Sequence, residues 1–180
     1  MMKWLDGRVS ARILLVFSSL LCTCIWVPRW WKTISAVFAP GQFDFLASFL
    51  RIVFIFASLP LILTVLSFPA GKRFPALFCG RSVLLGGIYS VFGTACVFSL
   101  FLLGVLTSKA NPVQQDAAVL IFVLSMIVLG IILLLDYHKF HPGGRECGAR
   151  LLVCAVYSPS LFLCYTVVWD LLCELADKLK

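Results

Sequence analysis

Apolar residues run along this chain in long, nearly unbroken blocks, and polar residues gather in short intervals between them. A helix needs about 20 apolar residues to cross roughly 30 Å of hydrocarbon, where only a helix or a closed barrel pairs every backbone group. Four blocks reach that length, at 13–31, 45–68, 82–107 and 117–136. The first is strictly apolar only from Ile13 to Val27 and is completed by its tryptophans. A fifth block, 151–173, is long enough but contains Ser158-Pro159-Ser160 and ends in Asp170 and Glu174. It predicts either a further crossing or a segment lying on the membrane surface. No polar interval is long enough to fold as a soluble domain. The pattern therefore predicts one integral membrane domain over residues 1–180, an all-α polytopic transmembrane helix bundle.

Composition agrees. Of the 180 residues, 62% are hydrophobic and 13% charged, where a soluble domain carries about 25% charged residues. The net charge of +7 does not read as a nucleic-acid surface, because the cations sit in short clusters between apolar blocks. They read as orientation signals. Lys3, Arg8, Arg12, Lys72, Arg73, Arg81, Lys139, Arg145 and Arg150 fall on one side, against Arg29, Lys32 and Lys109 on the other. Short loops rich in Lys and Arg stay in the cytoplasm, so the amino terminus is expected there, in a plasma or internal membrane. Lys178 and Lys180 lie outside if the fifth block crosses. The amino-terminal block has the charge of a signal peptide but no small-residue cleavage site before its tryptophans, and is expected to stay as a signal anchor.

The stretch WVPRWWK closes the first block. Amphipathic rings favour the headgroup level, so Trp26, Trp30, Trp31 and Trp169 are expected to anchor the outer interface and Trp4 the inner one. Pro28 should end the first helix, since it cannot donate to the preceding turn.

The third block carries Ser82, Gly86, Ser90 and Thr94 at every fourth position, with Gly87 and Gly93 beside them. Small residues on one helix face let another backbone approach closely, and in lipid that packing drives association. This face is expected to meet either the bundle interior or a second protein. Arg51 lies early in the second block, where a guanidinium must snorkel or find a partner such as Asp44 or Asp116. Pro60 and Pro159 could kink their helices.

Chemistry-bearing patterns are sparse. His138 and His141 lie in HKFHPGG without the carboxylate or cysteine spacing of a zinc site, and no nucleophile elbow or phosphate loop occurs. No catalytic residue, metal ligand or cofactor is assigned. That basic loop, with Arg145 and Arg150, is expected to meet anionic headgroups. Asp136 and Asp170 end their blocks at opposite faces, so they do not stack as a proton relay, and no inverted repeat marks a transporter. The eight cysteines follow no disulfide framework. Cys79 and Cys147 stand in loops beside membrane ends and are candidates for reversible lipidation.

The order of parts resembles the claudin and peripheral myelin protein superfamily, which includes calcium-channel gamma subunits. The likeness lies in Val27-Pro28-Arg29-Trp30-Trp31-Lys32 after the first helix, Phe49-Leu50-Arg51 at the second, and Arg81-Ser82-Val83-Leu84-Leu85-Gly86-Gly87 opening the third, over roughly residues 8 to 137. The resemblance implies a left-handed four-helix bundle serving as an adhesion, scaffolding or accessory subunit. Family members fold a longer first outer loop into a small sheet with a disulfide; Arg29 to Asp44 gives sixteen residues and no cysteine, so barrier formation does not carry over. The expected role is non-enzymatic, an accessory, scaffolding or adhesion-type subunit that meets membrane lipids and other integral membrane proteins or itself. A small channel or transporter is the alternative.

Overall fold

The computed structural model describes residues 8–39, 45–70, 78–106, 112–140 and 143–178. These form α1 (Arg8–Val37), α2 (Phe45–Ala57), α3 (Leu59–Ala70), α4 (Gly80–Leu106), α5 (Pro112–Phe140) and α6 (Gly144–Lys178). No strand occurs among the described residues. Five spans are long and apolar enough to cross a membrane: Val9–Val37, Ala47–Pro69, Gly80–Gly104, Gln115–His138 and Gly144–Ala176. The molecule is a polytopic α-helical bundle.

The proline expectations divide. Pro28 does not end the first helix; it lies inside α1, which continues to Val37. Beyond it Trp30 and Ile34 pack on the Trp26–Phe54 cluster and Arg51 caps the Val37 carbonyl, and this tertiary packing outweighs the one bond lost at Pro28. The chain from 29 to 37, expected as outer loop, is therefore helix. Pro159 is likewise inside α6. Pro60 does interrupt its span: α2 and α3 are separated at Ser58, whose carbonyl accepts from the Leu61 and Ile62 amides at 3.0 and 3.4 Å. The missing N–H and the ring's clash with the preceding turn account for the break.

Cross-helix contacts fix the directions. Arg12 of α1 reaches the Phe68 carbonyl near the end of α3, whereas Trp26 stacks on Phe54 of α2. Along α6, Tyr157 meets Ser18 of α1 and Glu174 meets Arg29, so the two helices run parallel. Ser90 of α4 bonds the Cys154 carbonyl, and Phe98 packs on Phe162, which makes α4 parallel to α6 as well. Helix α5 runs the other way, with Asp136 against Tyr89 and Ala118 beside Phe98 and Leu102. The fifth block is thus a full member of the bundle. Arg8 and Gly144 stand at one end, and Val37 and Glu174 at the other.

Helix α6 lies at the centre. One apolar cluster joins Ala11 and Leu15 to Leu63, Val83 and Val153; a second joins Cys22 and Trp26 to Phe54, Ala57 and Leu163; a third joins Phe98, Leu102 and Ala118 to Phe162 and Tyr165. All three contain α6 side chains. The span on α5 is the most apolar, yet only 11% of an 18-residue stretch of it is buried, against 50% for α4. In lipid the outer surface is oily and close-packed small or hydroxylated residues mark the interior.

Candidate functional site

Polar side chains are buried at two levels along α6. The first lies where α5 ends and α6 begins. Asp136 follows the leucines 133–135 and comes one helical turn before the end of α5; Arg150 lies in the second turn of α6, four residues after Glu146. The end of α5 and the start of α6 lie side by side there. The Asp136 Oδ2 atom accepts from both Arg150 Nη1 and the Tyr89 hydroxyl of α4. The carboxylate is 6% exposed and the guanidinium 2%.

Gly86 makes this arrangement possible. A Cβ there would stand 2.7 Å from the Arg150 carbonyl oxygen and 2.7 Å from Val153 Cβ. Only glycine lets α4 approach α6 at this height, and Tyr89 lies three residues further on, facing the same seam. Ser82, Ser90 and Thr94 are buried along it. Ser90 donates to the Cys154 carbonyl at 3.1 Å and lies 3.4 Å from the Ser158 hydroxyl, whereas the Thr94 hydroxyl has no partner. Gly86 and Ser90 of the stripe face α6, and all four of its residues are buried inside the molecule.

The charged cluster is incompletely satisfied. Asp136 Oδ1, Arg150 Nε and Arg150 Nη2 have no hydrogen-bond partner. The Glu146 carboxylate, half exposed, stands 3.5 Å from Nη2, too long for a good hydrogen bond. A cavity of about 240 Å³ adjoins the cluster, lined by Tyr89, Asp136 and Arg150 and rimmed by Leu133, Tyr137 and Leu151. Arg150, expected on the surface among headgroups, is instead enclosed, because Asp136 neutralises it.

The second level is neutral. Ser19 donates to the Pro60 carbonyl at 3.1 Å and lies 2.9 Å from the Thr64 hydroxyl and 3.1 Å from that of Tyr157. Ser18 is 2.7 Å from the same tyrosine hydroxyl. The break at Ser58 and Pro60 presents the carbonyl that anchors this group. Every hydroxyl in it has a partner, which leaves it closed.

The remaining expected residues are dispersed. Trp26 is not an interfacial anchor: it is 4% exposed, lies over Phe54 at 6.1 Å, and donates from Nε1 to the Ser160 hydroxyl at 3.1 Å. A buried hydroxyl serves its N–H as well as the headgroup layer would. Trp30 is half-buried against Phe54, Trp31 is exposed, and Trp169 packs beside Phe98 and Leu102. Arg51 donates from Nε to the Val37 carbonyl at 2.8 Å, capping the end of α1. Asp116 is exposed, and Asp44, Trp4 and His141 lie outside the described residues. At the far end Arg29 meets Glu174 at 2.8 Å and Asp170 at 3.9 Å. All eight cysteines are free, with Cys147 exposed and Cys79 half-buried. His138 is exposed, and no metal-binding group of His, Cys, Asp or Glu occurs among the described residues.

Fold and composition define the class, a multi-pass α-helical membrane protein. No family model, curated protein or solved structure matches the chain.

Proposed function

We infer that the protein acts without catalysis, as an accessory, scaffolding or adhesion-type subunit of a membrane complex that meets its neighbours inside the bilayer. The observation that supports this is the contrast between α4 and α5. The stripe of small residues on α4 is occupied by α6, while α5, attached along one side, presents Leu120, Leu124, Ile127 and Ile131 outward. Connections between helices are short, so most of the surface on offer lies in the membrane. The resemblance to four-helix accessory subunits points the same way, with α6 as an addition to that plan.

The nine-to-three distribution of cations supports a cytoplasmic amino terminus, and with five parallel and antiparallel crossings the carboxyl terminus is then outside. Photo-crosslinking residues placed at Leu124 on α5 and at Leu66 on α3 test the reading in native membranes. Discrete protein adducts, including a second copy of the chain, are expected at Leu124 and not at Leu66. Lipid adducts alone at both positions would overturn it.

The buried Asp136 and Arg150 favour a second reading, a small channel or transporter, since intramembrane charges often mark ion paths. Weighing against it, the cavity beside them shares no lining residue with the groove at Ser18 and Tyr157. The hydroxyls between are closed on one another. Ion flux into vesicles containing the purified chain, lost in Asp136→Asn, would establish the second reading.

A further inference from the structure

The cluster at the α5–α6 end has a specific surplus of hydrogen-bonding capacity. Arg150 spends Nη1 on Asp136, which leaves the enclosed edge formed by Nε and Nη2 without a hydrogen bond, Nη2 having only the Glu146 carboxylate at 3.5 Å. That edge is the side-on fork of a guanidinium, two parallel N–H donors matched to two oxygens of one phosphate or carboxylate. Asp136 in turn has one oxygen doubly engaged and the other, Oδ1, without a donor. The surplus therefore asks for an anion with two oxygens and, close to it, an N–H or O–H donor.

Four further features narrow the class. The cluster lies within a turn or two of the helix ends, at headgroup depth for a span of this length. The cavity beside it, about 240 Å³, is far larger than the ~10–15 Å³ that holds one water. Its rim residues Leu133 and Leu151 are exposed and apolar, suited to acyl chains, and the half-exposed Glu146 is the carboxylate standing over Nη2. Asp136, Glu146 and Arg150 together carry one net negative charge, which the exposed Arg145 beside Glu146 offsets, so the cluster does not call for a headgroup with net charge of its own.

We propose that this cavity binds a zwitterionic aminophospholipid, the ethanolamine class. The phosphodiester takes the Nε and Nη2 edge of Arg150 as Glu146 swings outward, and the primary ammonium donates to Asp136 Oδ1. A choline headgroup offers the same phosphate but has no N–H, so it leaves Oδ1 unpaired. The site discriminates the two by one charge-assisted hydrogen bond.

The test uses the full chain purified in detergent, with palmitoyl-oleoyl phosphatidylethanolamine, the matching phosphatidylcholine, soluble phosphoethanolamine and inorganic phosphate as probes, read by native mass spectrometry and by thermal unfolding. The ethanolamine lipid is expected to bind about tenfold more tightly than the choline lipid, the yield of one charge-assisted hydrogen bond. Soluble phosphoethanolamine should compete weakly and inorganic phosphate not at all; equal competition by inorganic phosphate would assign the site to a free anion. Glu146→Ala, at an exposed position that leaves the fold intact, should tighten lipid binding by removing the group the phosphate displaces. Arg150→Lys keeps the charge beside Asp136 but removes the fork, and should abolish the selectivity. Equal binding of both lipids, binding of neither, or weaker binding in Glu146→Ala would overturn the proposal and leave the cavity to water.

Discussion

The two buried polar groups along α6 solve the same problem with different chemistry. Around Tyr157, serine and threonine hydroxyls bond one another and the Pro60 carbonyl, so each donor has an acceptor of similar strength nearby. Around Arg150, a full positive charge meets a full negative one, and three polar atoms are left over. Hydroxyls can rotate to satisfy one another and cost little to bury. Charges must be paired almost completely or their burial is expensive. The neutral group therefore reads as packing, and the charged group as the place where the fold retains unspent interaction capacity.

The sharpest way to break that comparison is to remove one charge. Asp136→Leu leaves Arg150 enclosed without its buried counter-ion, with only the half-exposed Glu146 at 3.5 Å, and a loss of ~3–5 kcal/mol is expected in unfolding measurements in bicelles. Asp136→Leu combined with Arg150→Met should be less damaging than Asp136→Leu alone, because a buried pair replaced by apolar groups forfeits little. If the double variant falls as far below the wild type as Asp136→Leu does, the pair is a net stabiliser and the cluster resembles the hydroxyl group after all.

The seam that brings the charges together gives the next largest effect. Gly86→Ala places a methyl 2.7 Å from the Arg150 carbonyl, which belongs to backbone and cannot swing away. Overpacking of this kind costs ~1–3 kcal/mol. Gly87→Ala is the control: a Cβ there meets nothing within 4 Å, and a change within about 0.5 kcal/mol is expected. Equal effects at the two sites would mean that α4 and α6 do not approach as described.

This contrast also shows what the sequence could disclose. The apolar blocks disclose a membrane-spanning helical bundle, because length and hydropathy decide whether a helix can cross a bilayer, whereas the first helix runs to Val37 and the last begins at Gly144, six and seven residues beyond the apolar blocks. The spacing of Ser82, Gly86, Ser90 and Thr94 pointed to a packing face, and the structure supplies its occupant, α6. Pro28 and Trp26 were misread for one shared reason. Rules learned in water or at interfaces end a helix at proline and send an indole to the headgroups, whereas inside a bundle the helix continues and Ser160 takes the N–H. The meeting of Asp136 with Arg150 was not readable. Each sits near the end of an apolar run, where a charge ordinarily snorkels to water, and only the packing of α5 against α6 brings them together.

Among the hydroxyls, Ser19→Ala removes contacts to Pro60, Thr64 and Tyr157 at once, yet it leaves those groups other partners: Thr64 still bonds the Pro60 carbonyl at 2.8 Å and Tyr157 still meets Ser18. Interhelical hydrogen bonds of this kind average ~0.6 kcal/mol and reach ~1.7 at most. A loss within that range, several-fold below that of Asp136→Leu, is the expected outcome of the same unfolding measurement.

The smallest effect should come from the third polar group, and it separates burial from charge. Arg29 faces Glu174 and Asp170 across the far end of α1 and α6, with all three side chains about half exposed, 46%, 52% and 50%. It is as ionic as the Asp136 cluster but stands in contact with solvent, where exposed ion pairs contribute ~0–1 kcal/mol and salt screens them over ~8 Å at physiological strength. Glu174→Gln should therefore cost under about 1 kcal/mol, and raising the salt should shrink even that. The loss in Asp136→Leu should hold its size across the same salt series, because a pair whose side chains are only 2% and 6% exposed is screened little by salt. If both losses fall together with salt, the Asp136 cluster is wet, and its difference from the hydroxyl group is one of charge alone rather than of charge held out of water.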